Sequence, residues 1–165
     1  MKNLFICVKT LLFGGLILFI WGYLSLSTRY FDRLLEWGLP QWTFVPGVIM
    51  LITGGTIVSM TAFLFVFSGK GTPAPFDAPK EFVSVGPYRF VRNPMYIGGF
   101  LLFEGFAFVN LSVFMTIFPF IWLLIVHLMV VLHEEKTLEK QFGDTYLNYK
   151  KVVNRWIPSF KKMRS

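Results

Sequence analysis

The stretch best equipped for chemistry is Gly86-Pro87-Tyr88-Arg89-Phe90-Val91-Arg92-Asn93-Pro94-Met95-Tyr96. Gly86-Pro87 interrupts regular structure and Asn93-Pro94 restarts it. Asn is a favoured N-cap, and Pro suits the first helical position, where its missing N–H is not needed. A loop with two arginines therefore feeds the N-terminus of an apolar helix, whose free N–H groups and partial positive charge suit an anionic ligand group. A second set lies downstream, where Glu134-Glu135 closes an apolar run that also holds His127. Paired carboxylates are usually a solvated helix face, but ionisable groups in or beside an apolar span tend to face a protein interior. Tyr96 and His127 lie equally far from the turn expected near residues 111–112, so an antiparallel pair would give them one depth. Glu134 then falls on the stripe of His127, about 20° short of two full turns.

The elements that must position these residues are apolar. The chain has 165 residues, 55% of them hydrophobic and 20 of them Phe, more oil than a soluble domain of this size needs. A net charge of +7 beside apolar runs holds lipid headgroups and sets topology, and does not require nucleic acid. The single Cys7 excludes an internal disulfide, and with only His127 and His133 beside it no Cys/His metal cluster can form.

Four runs read as spans: 4–26, 44–67, 95–110 and 114–132. The first is too long for a signal peptide and lacks an A-x-A site, so it reads as a retained helix. The third reaches only about 24 Å against a core of roughly 30 Å. Residues 28–42 read as a short polar connection in which Asp32 and Glu36 balance Arg29 and Arg33, with Trp37 and Trp42 at an interface. Gly47, Gly54 and Gly55 would let a second helix approach closely. Residues 68–93, broken by Gly69, Gly71, Pro73, Pro75 and Pro79, form a long loop expected to act as a lid. The fourth helix should continue to Phe142, with Gly143 as its C-cap and an amphipathic helix over 144–153.

The expected architecture is an all-α polytopic membrane helix bundle, a single domain over 1–165. Two spanning helices occupy 1–67, and the catalytic loop, helical hairpin and tail occupy 68–158. From His133 onward there are eight basic and four acidic residues, and the 68–95 loop is also basic. Both termini and the active site are therefore expected on the cytoplasmic side.

Gly86-Pro87-Tyr88 with Arg92-Asn93-Pro94-Met95-Tyr96 resembles the signature of the isoprenylcysteine carboxyl methyltransferase family. Glu134-Glu135, Phe142-Gly143-Asp144, Tyr146, Tyr149-Lys150-Lys151 and Ile157-Pro158 resemble its tail. The superfamily also includes phospholipid and small-thiol methyltransferases. The resemblance implies S-adenosylmethionine held at the cytosolic end of the last helical hairpin. It implies cofactor contacts from Lys80, Phe82, Val83, Tyr88, Asn93, Pro94, Met95, Tyr96, His127 and Glu134, and catalytic roles for Tyr96, Glu134 and Arg89. Two positions depart from the family: Asn93 stands where a His is usual, and Val130 stands where the prenylcysteine enzymes carry an Arg for the substrate carboxylate.

The residues themselves fit such a reaction. Methyl transfer from a sulfonium is an in-line displacement that needs proximity, alignment and dryness, not a triad or a metal. The expected substrate is a lipid-like or prenylated acceptor, with prenylcysteine carboxyl methylation ranked first on the resemblance. Phospholipid N-methylation and small-thiol S-methylation are the alternatives, and a catalytically inactive membrane interaction protein is the non-enzyme one. Membrane lipids are expected partners; nucleic acid and an obligatory protein partner are not.

Overall fold

Apolar stretches bounded by Gly, Pro and Asn become helices here, one of them with Pro119 inside it. The computed structural model describes residues 2–69 and 80–160, and among these there is no strand. The helices are α1 (Lys2–Leu34), α2 (Phe44–Phe67), α3 (Pro94–Val109), α4 (Val113–Met129) and α5 (Glu135–Val152). The rods Gln41–Phe67 and Val113–Val152 are long and apolar enough to cross a membrane, and Pro94–Val109 is apolar but shorter. The most apolar windows of those rods are only 11% and 22% buried inside the protein. A soluble core would bury them; here they point outward, as lipid requires, and the chain is an all-α membrane helix bundle.

α2 and α3 form the closest pair because glycines meet glycines. A Cβ on Gly54 would lie 2.6 Å from the Gly98 carbonyl, and one on Gly98 would lie 3.0 Å from the Gly54 carbonyl. Gly47 and Gly105 repeat this, at 3.0 and 2.8 Å from each other's carbonyl oxygens. The pairs run in opposite chain directions, so the helices are antiparallel, backbone against backbone, at two levels. Gly55, expected in this seam, stands beside it, with only a Leu102 methyl at 3.8 Å. Gly54→Leu is therefore expected to separate the helices, costing at least the roughly 1–3 kcal/mol of an overpacked core, while Gly55→Leu is tolerated. Unfolding midpoints in detergent check this; equal midpoints for the two variants would remove the seam.

The other end of the bundle corrects the reading of 28–42. α1 does not stop near Leu26 but runs to Leu34, so Arg29, Asp32 and Arg33 lie on it. Asp32 is buried and crosses to the start of α4, where its carboxylate accepts from the Ser112 hydroxyl and, at 3.1 Å, from the Phe114 N–H. Ser112 Oγ accepts the Met115 N–H at 3.1 Å. Two N–H groups that α4 cannot satisfy internally are thus satisfied by α1 and the cap. What looked like a local charge balance is a tertiary helix cap.

Between α4 and α5 the rod passes through one π-turn, Val130–Glu134, wound wider than the α-helix on either side. Gly143 breaks α5 at φ 50°, ψ −129°, so the expected stop is a sharp bend after which the helix resumes. That bend turns Tyr146 and Tyr149 back into a small core with Val153, against Phe82 and Phe142.

Candidate active site

The site is assembled at the end of the bundle where α3 begins and α4 gives way to α5. Gly86–Arg89 forms a single 3-10 turn with Pro87 inside it, and Pro94 opens α3. Asn93 occupies the N-cap position but does not cap: its side-chain amide donates to the Arg155 carbonyl at 3.3 Å. The C-terminal tail takes that amide because it lies along the loop like a strap. Arg92 N donates to Asn154 O at 2.9 Å and Ser159 N donates to Phe90 O at 2.7 Å. Tyr149 Oη donates to the Tyr88 carbonyl at 2.6 Å, tying α5 to the same loop.

These bonds correct the lid expectation in part. Val83, Tyr88 and Val91 are buried, and Phe82 packs edge-on against Tyr146 and Tyr149. The 82–91 segment is a buttress packed through Phe82, Val83, Tyr88 and Val91, while Val85 and Phe90 stay exposed. Residues 70–79, the Gly/Pro-rich remainder of the loop, lie outside the described residues. Burial, with Tyr149 and Glu134 nearby, pushes the Tyr88 phenol well above its ordinary value, so it stays neutral.

Glu135 is the electrostatic centre. Only 5% exposed, it accepts from Arg92 Nη1 at 2.9 Å, from Arg155 Nε at 2.7 Å and Nη2 at 3.0 Å, and lies 3.2 Å from Lys150 Nζ. Burial works to raise this carboxyl. The Arg155 hydrogen bonds, the Arg92 charge and the Lys150 contact outweigh it and hold the group below the ordinary carboxylate value. Lys150 also reaches Glu139, so three cations face two carboxylates. Among the described residues, Arg92 Nε is buried without a hydrogen-bond partner.

Glu134 faces another way. Its Oε1 accepts a short hydrogen bond from Tyr96 Oη, and the Tyr96 ring stands edge-on to Trp122 at 6.1 Å. The sequence spacing sets Tyr96 level with His127 and Glu134 nearer Asn93; the structure instead pairs Tyr96 with Glu134 across the hairpin. His127 is engaged elsewhere: its Nδ1 accepts from Trp156 Nε1 at 3.0 Å, which anchors the strap to α4. The π-turn separating His127 from Glu134 shifts the phase on which their common stripe was reckoned.

The other expected residues are spread unevenly. Tyr88, Asn93, Pro94 and Met95 line the start of α3 with Tyr96. Phe82 and Val83 lie in the loop–α5 core, Lys80 is exposed with its N–H on the Gly69 carbonyl at 2.8 Å, and Arg89 is exposed. Sequence reasoning quotes Arg92 and Lys150 only as motif residues and Glu135 only as half of an acidic pair, and it places neither Arg155 nor Trp156 in the site. Arg92 and Glu135 sit inside the motifs and could have been paired by charge. Arg155 and Trp156 carry no signal until the tail is seen to fold back.

Apolar helices that face lipid, with a half-buried tyrosine–carboxylate pair at one end of the bundle, describe a membrane protein with a candidate reaction site. A family model described as phospholipid methyltransferase matches residues 42–145, from the start of α2 into α5, and the chain belongs to that family. It is therefore a membrane methyltransferase, and the reading as an inactive interaction protein is set aside. No curated protein matches the chain. No solved structure matches it.

Proposed function

We propose that this protein transfers a methyl group from S-adenosylmethionine to the amino group of an ethanolamine-type phospholipid at the Tyr96–Glu134 site. The observation that carries the reading is Glu134 itself, a half-buried carboxylate hydrogen-bonded to Tyr96 at the polar end of the hairpin. An amine acceptor is protonated at neutral pH and must lose a proton before its lone pair can attack; a positioned carboxylate can accept it. A carboxylate acceptor would be repelled by Glu134. The position where prenylcysteine enzymes carry an Arg is Val130, 1% exposed and uncharged.

The residues present fit the cofactor. Arg92 Nε is buried without a partner, the cluster around Glu135 has one cation more than it has carboxylates, and the N-terminus of α3 adjoins it. All three favour a carboxylate ligand, and the methionine moiety supplies one. Arg92, Tyr88, Asn93 and Met95 would hold it, with Tyr96 and Glu134 beside the reacting end. When bound, S-adenosylmethionine supplies an electrophilic methyl carbon on a sulfonium. Tyr96 orients the Glu134 carboxylate, Glu134 takes the acceptor's proton, and the Phe82–Tyr88 core keeps water out. The charge distribution supports one membrane domain with both termini and this site on the cytoplasmic side.

A second reading is carboxyl methylation of a prenylcysteine. It is favoured by the tail, where Tyr149, Asn154 and Arg155 of the prenylcysteine-like segment contact the loop directly. Arg89, exposed beside Tyr88, is the cation that would serve it. The protein in lipid nanodiscs, given methyl-tritiated cofactor, is to be offered an ethanolamine phospholipid, farnesylcysteine and a long-chain thiol. The phospholipid is expected to be labelled best. Farnesylcysteine labelled in preference, with the rate falling on Arg89→Ala, establishes the second reading; a preferred thiol removes both.

A further inference from the structure

The end of the bundle opposite the methyl-transfer site holds a cavity of about 530 Å³ lined by Arg29, Asp32, Arg33, Glu36, Trp37 and Asn110, among others. We propose that it binds the headgroup of a zwitterionic phospholipid, the phosphate on Arg29 and Arg33 and the ammonium on Glu36 and Trp37. The site is separated from Tyr96–Glu134 by the length of α3, about 24 Å at 1.5 Å per residue. It is a lipid site independent of which acceptor is methylated.

The argument starts from α1. Arg29 and Arg33 are one turn apart on the same face and exposed, and no ion pair to either is found among the described residues. Asp32 lies between them in sequence, but its carboxylate is turned inward and committed to Ser112 and Phe114. Two guanidinium forks one turn apart match the oxygens of a phosphate. Glu36 follows the helix end at φ 52°, and Leu111, across the cavity, is at φ 54°. Non-glycine residues avoid this region unless surrounding contacts impose it. Those contacts are present: Trp37 N donates to Asp32 O at 2.9 Å and Leu39 N donates to Leu111 O at 3.0 Å. Trp37 stacks on Phe114 with ring centroids 5.6 Å apart and remains 53% exposed, leaving ring surface for a cation.

Charge balance selects the ligand. With Asp32 committed to Ser112 and Phe114, Arg29 and Arg33 face the cavity on one side and Glu36 on the other, so it is divided into a cationic and an anionic half. An anionic headgroup or free phosphate would engage the arginines and leave Glu36 and Trp37 unused. A zwitterionic headgroup satisfies both halves. The exposed Phe31, Leu34 and Leu35 around the rim give its acyl chains an apolar path.

The test is native mass spectrometry of the full chain, released from detergent with dioleoyl phosphatidylethanolamine, with the phosphatidylglycerol analogue, or with inorganic phosphate. Wild type is expected to retain a phosphatidylethanolamine at this site, beside any held as acceptor at Tyr96–Glu134, and R29Q/R33Q to hold it roughly tenfold less well, through loss of charge-assisted hydrogen bonds. Glu36→Gln should move the preference toward phosphatidylglycerol, and Glu134→Gln should leave this adduct in place. Methyl-transfer rate reports folding and should be unchanged in R29Q/R33Q. If that variant does not fold, the wild-type preference between the two lipids decides. Equal retention by folded R29Q/R33Q, a wild-type preference for phosphatidylglycerol, or displacement by millimolar phosphate would each overturn the proposal.

Discussion

Glu135→Ala is expected to destabilise the protein by about 3–5 kcal/mol, the range found when one member of a buried ionic cluster is removed. The magnitude follows from what stays behind. Arg92 is 10% exposed in its side chain and would lose its carboxylate partner, and Arg155 would lose a two-pronged partner while its backbone still holds Asn93. The Lys150–Glu139 pair, 28% and 36% exposed, is screened by solvent and adds no more than about 1 kcal/mol. Because the folded-state pKa of Glu135 is depressed, its contribution is present above the unfolded value of 4.5 and is lost as pH falls through the lower folded value. The unfolding midpoint in detergent should hold level from neutrality to about pH 5 and drop below it in wild type, and that drop should shrink in Glu135→Ala. Hydrogen exchange at Arg92, whose N–H is held by the tail, should quicken with the same substitution. A variant within 1 kcal/mol of wild type, with an unchanged acid profile, would mean that the cluster is solvated and structurally idle.

The sequence discloses what is local or periodic and conceals what depends on a distant partner. α2 and α3 are legible because Gly, Pro and Asn bracket continuous apolar runs, and the Gly47 and Gly54 seam follows from their seven-residue repeat. The extension of α1 to Leu34 is not legible, since polar Thr28, Arg29 and Asp32 look like a loop until Ser112 and Phe114 appear beside Asp32. A π-turn has no residue signature, so nothing in Val130–Glu134 warns that the helical phase will change. That change matters, because two adjacent carboxylates with different roles read as one acidic pair: Glu134 serves Tyr96 and Glu135 holds the loop and tail together. The resemblance singles out Glu134, whereas the ion pairs of Glu135 with Arg92, Lys150 and Arg155 come only from the fold. The strap is the least legible part. The contacts of Asn154, Arg155 and Trp156 span from 20 to 63 residues (155 − 135 = 20; 154 − 91 = 63), beyond any local rule.

Glu134→Gln is expected to lower the methyl-transfer rate by roughly 10²–10⁴, the usual contribution of a positioned general base, with little change in stability. Gln retains the size of Glu and can still accept from Tyr96, but it cannot take a proton from an ammonium. Tyr96→Phe removes the hydroxyl that fixes the carboxylate and should cost less, about tenfold, equivalent to a hydrogen bond to a charged group of about 1.5 kcal/mol. If Tyr96 acts through Glu134, the double variant should be no slower than Glu134→Gln alone. Independent roles would instead multiply the two losses. The split between kinetic constants adds a second check. Loss of a base lowers kcat with little change in KM for the lipid, whereas loss of a binding contact raises KM. Raising the pH should partly restore Glu134→Gln when the acceptor is an amine, because more of it is then already deprotonated, and should do nothing for a carboxylate acceptor. A Glu134→Gln enzyme within threefold of wild type would end Glu134's role as the proton acceptor. Full activity in Tyr96→Phe beside an inactive Glu134→Gln would keep the base and dismiss only its positioning partner.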